Sequence, residues 1–231
     1  MSNMSQVTKS FEEHKIIPDV LPAGTQVPHN LGVHWPKVNL RAPGERLHRD
    51  ELQELPTITT DFKPEEDAET QEYVLLMVDP DLTHYNDRTF GQVRHWLVPK
   101  VKVSRDGNVV INEATTISPY VGPAPLAAHL VVGESRPSRY TFLLFKHKTA
   151  GPPAVLDPDT LKAHYEGNVG QFGGEMQHII DRMGFDTGVF MAKNGLEVVA
   201  GTFMFVEGNV KSSLANAGLL ATGVAQKVAG K

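Results

Sequence analysis

Two aspartates separated by a proline, Asp79-Pro80-Asp81, close one apolar run, and a histidine, His95, opens the next. Proline fixes φ and removes a backbone donor, so the first motif is a rigid chain reversal presenting two carboxylates at a strand end. An imidazole beside Asp79 would find an acceptor that favours its charged form and raises its pKa. A partly buried imidazolium held by a carboxylate suits an anion such as a phosphate, and the same pair suits general acid–base work. A third segment, Tyr120-Val121-Gly122-Pro123-Ala124-Pro125, is a rigid loop. Its glycine lets a ligand approach the backbone, with its N–H a candidate donor. Taken singly, each segment also has a plain structural reading: a turn with solvated aspartates, a core histidine, and a surface loop.

Other chemistries are absent from the pattern. There is no phosphate-binding Gly-x-x-x-x-Gly-Lys-Ser/Thr loop, no Gly-x-Gly-x-x-Gly after a strand and no His-Glu-x-x-His. No Gly-x-Ser-x-Gly elbow occurs. Gly167, Gly170, Gly173 and Gly174 form a glycine-rich run without a strand–turn–helix context. Asp79, Asp81, His84 and Asp87 lack the glycine and terminal glutamate of a calcium loop. The complete lack of cysteine removes disulfides, a thiol nucleophile and thiolate metal sites. No metal and no cofactor are expected.

The elements that must position these residues are mostly strands. Tyr73 to Val78 is continuously apolar, as in a strand buried on both faces. His95 to Val103 alternates in part, and Pro99 marks a bulge or an edge. Arg105-Asp106-Gly107-Asn108 is a hairpin turn leading to a strand at 109–111. Tyr140 to Phe145 and Val198 to Val206 supply two more strands, and residues 18–60 alternate short strands with connections. The strands ending at Asp79 and starting at His95 are expected to be neighbours. Residues 119–137 should form a long irregular loop.

Helical spacing appears in Phe172, Met176, Ile179, Ile180 and Met183, within a helical stretch at 158–182 that Gly184 would cap. An N-terminal helix is expected to start at Ser10, in capping-box spacing with Glu13, and to stop before Pro18. Residues 1–9 read as a loose tail and 208–231 as a tail or weak helix. Nothing divides the chain, so 1–231 reads as one domain.

Composition sets the outer bounds. The 231 residues, 40% hydrophobic and 21% charged, suffice for one sizeable core and exclude disorder over most of the length. A net charge of −5 gives no electrostatic footprint for nucleic acid. No run approaches the ~18 apolar residues of a membrane span, and the first ten residues are polar. The expected location is the cytoplasm.

Several motifs in order resemble the phosphatidylethanolamine-binding protein family, which includes the Raf kinase inhibitor proteins. The matching residues are the strand ending in Asp79-Pro80-Asp81, Gly91 through His95-Trp96-Leu97-Val98, Tyr120-Val121-Gly122-Pro123, and Arg139-Tyr140-Thr141-Phe142-Leu143-Leu144-Phe145. Ile16-Ile17-Pro18-Asp19-Val20 and Gly184-Phe185-Asp186 flank them, and these outer segments look like the fungal branch. The resemblance implies a mainly β fold: a large central antiparallel sheet flanked by a smaller one, with short helices toward the C-terminus. It also implies a ligand pocket lined by Asp79, Asp81, Phe90, His95, Tyr120, Gly122, Pro123, Ser138 and Tyr140.

The sequence departs from the family pattern inside that pocket. Val93 stands where an aromatic is usual, Ala124 where the family's Gly-x-Gly-Pro loop has its second glycine, and Ser138 where a second pocket histidine is usual. Replacing that histidine removes a charge-assisted contact to an anion, roughly 1.5–3 kcal/mol. The segment 126–137, which holds His129, is longer than usual. Two functions follow from the resemblance. One is a protein that binds a phosphorylated head group or small organic ligand and regulates a protease or kinase. The other is a fungal biosynthetic isomerase or cyclase acting on a polyketide-type substrate. There, Asp79 and His95 would be the acid–base pair and Ser138 or Tyr140 a donor.

Overall fold

The computed structural model describes residues 4–64, 71–82, 85–88, 90–125, 136–148 and 181–208. Its strands are β1 (His29–His34), β2 (Asn39–Leu40), β3 (Glu45–Leu47), β4 (Thr57–Thr60), β5 (Tyr73–Asp79), β6 (Val93–Val103), β7 (Asn108–Val110), β8 (Ser138–His147) and β9 (Leu196–Val206). They line up in the order β2-β1-β4-β7-β6-β5-β8-β9-β3. The long antiparallel strands β6, β5, β8 and β9 make the large sheet, and β2, β1, β4 and β7 the smaller one. A parallel pairing of β1 with β9, His29 opposite Ala200, joins the two. This is the mainly β architecture expected, with a large and a small sheet.

The continuous apolar run of β5 has a direct cause. Tyr73, Leu75 and Met77 enter one core cluster with Trp96, Val98, Tyr140, Phe142 and Leu144. Val74, Leu76 and Val78 enter the other with Leu97, Leu143, Phe145 and Phe203. Every residue of the strand is buried, so alternation with polar residues would leave unsatisfied groups on one face. Each large apolar side chain so buried contributes roughly 1.5–3 kcal/mol. Pro99 sits at a register shift between the pairs Tyr73–Val101 and Leu75–Val98. A proline without its N–H is accommodated there because a bulge interrupts the ladder.

The N-terminal helix differs from expectation. Helix α1 spans Gln6–Glu13 and is capped by Ser5, whose hydroxyl accepts from the Thr8 N–H at 3.0 Å. Ser10 lies inside it. Residues 6–9 therefore belong to the helix and not to a tail, because Val7 and Phe11 need the same face to reach the core. A single distorted turn, α2 (Ile16–Asp19), follows, with Ile17 extended at φ −103°, ψ 114° ahead of Pro18. Helix α3 (Thr187–Lys193) is capped by Asp186 and sets Phe190 against Phe145 and Phe185. Residues 158–180 of the expected 158–182 helix, the weak helix beyond 208, and residues 126–135 of the long loop lie outside the described residues, while 181–182 form a turn and not a helix. Among the described residues no helix is long and apolar enough to cross a membrane.

Candidate functional site

One extra residue on β6 builds the centre of the site. Between the pairs Met77–Trp96 and Val78–Arg94, β6 advances two residues while β5 advances one, and the surplus residue is His95. Such a bulge re-aims a side chain. Arg94 faces Phe185 on one side of the sheet. His95 and Trp96, although consecutive, both meet tyrosines on the other. The His95 ring stands edge-on to Tyr140 with centroids 5.1 Å apart, and Trp96 stands edge-on to Tyr120 at 5.4 Å.

The β5–β8 register, with Val78 opposite Thr141, carries Asp79 to the level of Tyr140. The Tyr140 hydroxyl hydrogen-bonds the Asp79 carboxyl and accepts the backbone N–H of Ala124. The same carboxyl accepts the Asp81 N–H at 2.7 Å. Asp79 is 1% exposed. Burial, and then the nearby Asp81 charge, push its pKa up to about 7.

His95 behaves opposite to the sequence expectation. Its Nδ1 donates to the Val121 carbonyl at 2.9 Å, and the Val121 N–H returns a bond to the His95 carbonyl at 3.0 Å. It makes no hydrogen bond to Asp79. Burial, against the pull of the Val121 bond and with the Arg182 cation adding to it, lowers its pKa to about 4. The ring is neutral near pH 7, with Nδ1 protonated and Nε2 carrying a lone pair that has no partner among the described residues. The two strands are neighbours as expected, but the expected imidazolium–carboxylate pair is not formed. The carbonyl of the 121–125 loop reaches Nδ1 first.

Asp81 is also employed differently from its expected role as a lining residue. Arg139 grips it with both ends of its guanidinium, Nε to Oδ2 at 2.8 Å and Nη2 to Oδ1 at 2.7 Å, while the Arg139 N–H adds a third bond at 3.0 Å. The Asn86 N–H takes the remaining position on Oδ1 at 2.7 Å. Arg139 reaches on to Asp19 at 2.8 Å and lies over the Tyr85 ring, its Cζ 4.0 Å from the centroid. Burial lowers the basicity of Arg139, but the bonds to Asp81 and Asp19 more than reverse this and leave its pKa raised. This network ties β5, β8, Tyr85, Asn86 and α2 together. Sequence reasoning gave Arg139 and Asp19 no role. The available signal was an arginine inside the apolar strand Ser138–His147, which needs a buried partner.

The remaining expected residues take up the following places. A Cβ on Gly122 would lie 2.8 Å from the Leu52 carbonyl oxygen and 2.9 Å from Gln53 Cα. Its glycine is therefore required by the neighbouring backbone. Tyr120 accepts from Trp35 Nε1 at 3.1 Å and donates to the Leu52 carbonyl at 2.7 Å, so its hydroxyl is fully engaged. The Pro123 carbonyl accepts from Gln53 at 3.0 Å. Ser138 is buried and donates to the Asp81 carbonyl at 3.4 Å. Phe90 packs with Val93 and Met183, beside Leu82. Among the described residues no group of three His, Asp or Glu side chains is placed to hold a metal ion.

The sequence pattern of the phosphatidylethanolamine-binding proteins matches residues 39–178, which include Asp79, His95, Ser138 and Tyr140. The chain belongs to the phosphatidylethanolamine-binding protein family. Solved structures of that fold agree. A phosphatidylethanolamine-binding protein from Plasmodium vivax is 20% identical, covers 90% of this chain and all of its own, and superposes with a TM-score of 0.60. The carboxypeptidase Y inhibitor in complex with its cognate proteinase is 20% identical, covers 87% of this chain and 94% of its own, with a TM-score of 0.61. A phosphatidylethanolamine-binding protein from Plasmodium falciparum is 18% identical at a TM-score of 0.52. At these identities the likeness is one of fold. A comparison with curated proteins finds no significant match. In this phosphatidylethanolamine-binding protein Asp79, His95 and Tyr140 lie together, and Ser138 is buried beside Asp81.

Proposed function

We propose that this chain is a small-ligand-binding regulatory protein of the cytoplasm, from the fungal branch of its family, whose partner is a protease. The observation that carries the reading is the buried cluster of Asp79, Tyr140 and His95, in which His95 Nε2 is left without a partner among the described residues. His95 is 7% exposed and its Nε2 is not sealed from solvent, so an entering ligand can reach this unpaired atom. The protease part is supported by the fold shared with the carboxypeptidase Y inhibitor. The test is a thermal-unfolding panel of phosphate, phosphoethanolamine, acetate and small phenols on wild type and His95→Ala. A ligand at ~100 times its dissociation constant adds about 2.7 kcal/mol. Stabilisation that disappears in His95→Ala supports binding at this site, and no response to any of the set refutes it. Inhibition of a carboxypeptidase, assayed directly, tests the partner.

A second reading, an isomerase or cyclase, has its own supporting observation. The surroundings of Asp79 and His95 drive their proton affinities past each other, to about 7 and about 4. Paired groups separated in this way are the usual mark of assigned acid and base roles. Asp79 would deliver the proton and His95 Nε2 would take one. Deuterium uptake from solvent into a polyketide-type enone, abolished in Asp79→Asn, is the expected outcome. No exchange above background dismisses it.

A further inference from the structure

The hydrogen-bond inventory around His95 says what kind of group can complete it. The inference rests on the reading of this cluster as a ligand site. His95 Nδ1 is committed as a donor to the Val121 carbonyl, so Nε2 of the neutral ring presents a lone pair. Asp79 presents carboxyl oxygens. The donors that an anion would need are already engaged. The Val121 N–H goes to the His95 carbonyl, and the Ala124 N–H goes to the Tyr140 hydroxyl. Pro123 and Pro125 have no N–H at all. Within residues 121–125 only the Gly122 N–H is without an acceptor among the described residues.

The nearby cations are occupied as well. Arg139 gives its bonds to Asp81, Asp19, Tyr85 and the carbonyls of His14 and Lys15. Arg182 donates to the carbonyls of Arg94, His95 and Pro119. The wall next to Asp79 is apolar, since Val93 pairs opposite it and packs with Phe90 and Met183. A phosphate dianion here would face a lone pair and a carboxyl, with one free backbone donor to offset its desolvation.

We infer that the site takes a neutral organic ligand through a hydroxyl group, a phenol or enol, that donates to His95 Nε2 and accepts from Gly122. Its apolar body would rest on Phe90 and Val93. A phosphorylated head group is the poorer partner on this geometry.

A matched pair of probes tests it. Phenol and phenyl phosphate share a ring and differ in the group offered. Wild type labelled with 15N-histidine is titrated with each at neutral pH, and the His95 Nε2 resonance is followed. The expected result is that phenol shifts this resonance and binds at least about tenfold tighter than phenyl phosphate, a difference of about 1.4 kcal/mol. In His95→Phe the thermal stabilisation by phenol seen in wild type should be lost while unfolding stays cooperative. Tighter binding of phenyl phosphate overturns the inference and leaves the ligand-site reading standing. If neither probe moves the resonance, both fall. A protonated His95 in the free protein at neutral pH also overturns the inference.

Discussion

His95 and Asp79 sit on paired strands, yet His95 gives its Nδ1 hydrogen to the Val121 carbonyl, and Asp79 takes its bonds from Tyr140 and the Asp81 N–H. Each is buried, and burial pushes them in opposite senses: Asp79 up to about 7, His95 down to about 4. The linkage consequences oppose each other. Between about pH 4 and 7 the unfolded Asp79 is ionised while the folded one keeps its proton, so its contribution to stability falls as pH rises. Between about pH 4 and 6.5 the unfolded His95 carries a proton that the folded one lacks, so its contribution rises with pH. The two offset in wild type. Relative to wild type, Asp79→Asn should gain stability as pH climbs from about 4.5 to 6.5, and His95→Gln should lose it. Urea unfolding of the three proteins at both pH values checks the signs.

Arg139 should be the least replaceable side chain of the network. Arg139→Met leaves Asp81 charged and buried without its bidentate partner, a change that costs about 3–5 kcal/mol. Arg139→Lys keeps the charge but not the fork or the plane over Tyr85, and should fall between. Denaturant unfolding measures both. Equal stability of Arg139→Met and wild type would show that the pair contributes little.

Gly122→Ala puts a methyl group into the backbone of Leu52 and Gln53. A shift of the 121–125 loop should follow, at about 1–3 kcal/mol. Because the loop holds His95 through Val121, the Nδ1–H resonance of His95 should move as well. An unchanged melting temperature and an unmoved resonance would count against this packing.

Ser138→His restores the second imidazole that the family pattern has at this position. One added charge-assisted contact of about 1.5–3 kcal/mol raises affinity for phosphoethanolamine about ten- to hundredfold. Ser138→Ala serves as the control and should bind as weakly as wild type. Calorimetric titration gives both values.

The strands were readable because their burial is two-sided or strictly patterned. The short apolar run Tyr73 to Val78 has the length and composition of a strand buried on both faces, which β5 is, and the match of motifs around it carried the fold. The proximity of Asp79, His95 and Tyr140 was legible, since the three do come together. Its charge state was not. Whether His95 meets Asp79 or Val121 depends on a bulge and on the path of a loop far away in sequence, neither of which residue spacing reveals. The start of α1 was misplaced because Ser5 and Ser10 both qualify as caps, and only the burial of Val7 and Phe11 decides between them. An arginine flanked by buried apolar residues, as Arg139 is, demands a buried carboxylate, but residue spacing does not say that Asp81 and Asp19 supply it.

The pairing of β9 with β1 and β3 as well as β8 has a consequence for biosynthesis. β1 and β3 lie within the first fifty residues, and their partner residues run from Ala200 to Val206. A chain emerging from the ribosome therefore holds one edge of β1 and all of β3 without their partner until residue 206 is free of the exit tunnel. Closure of the sheet is a late, long-range event, and long-range pairing is slow. During that interval the nascent chain exposes strand edges of the kind that chaperones bind.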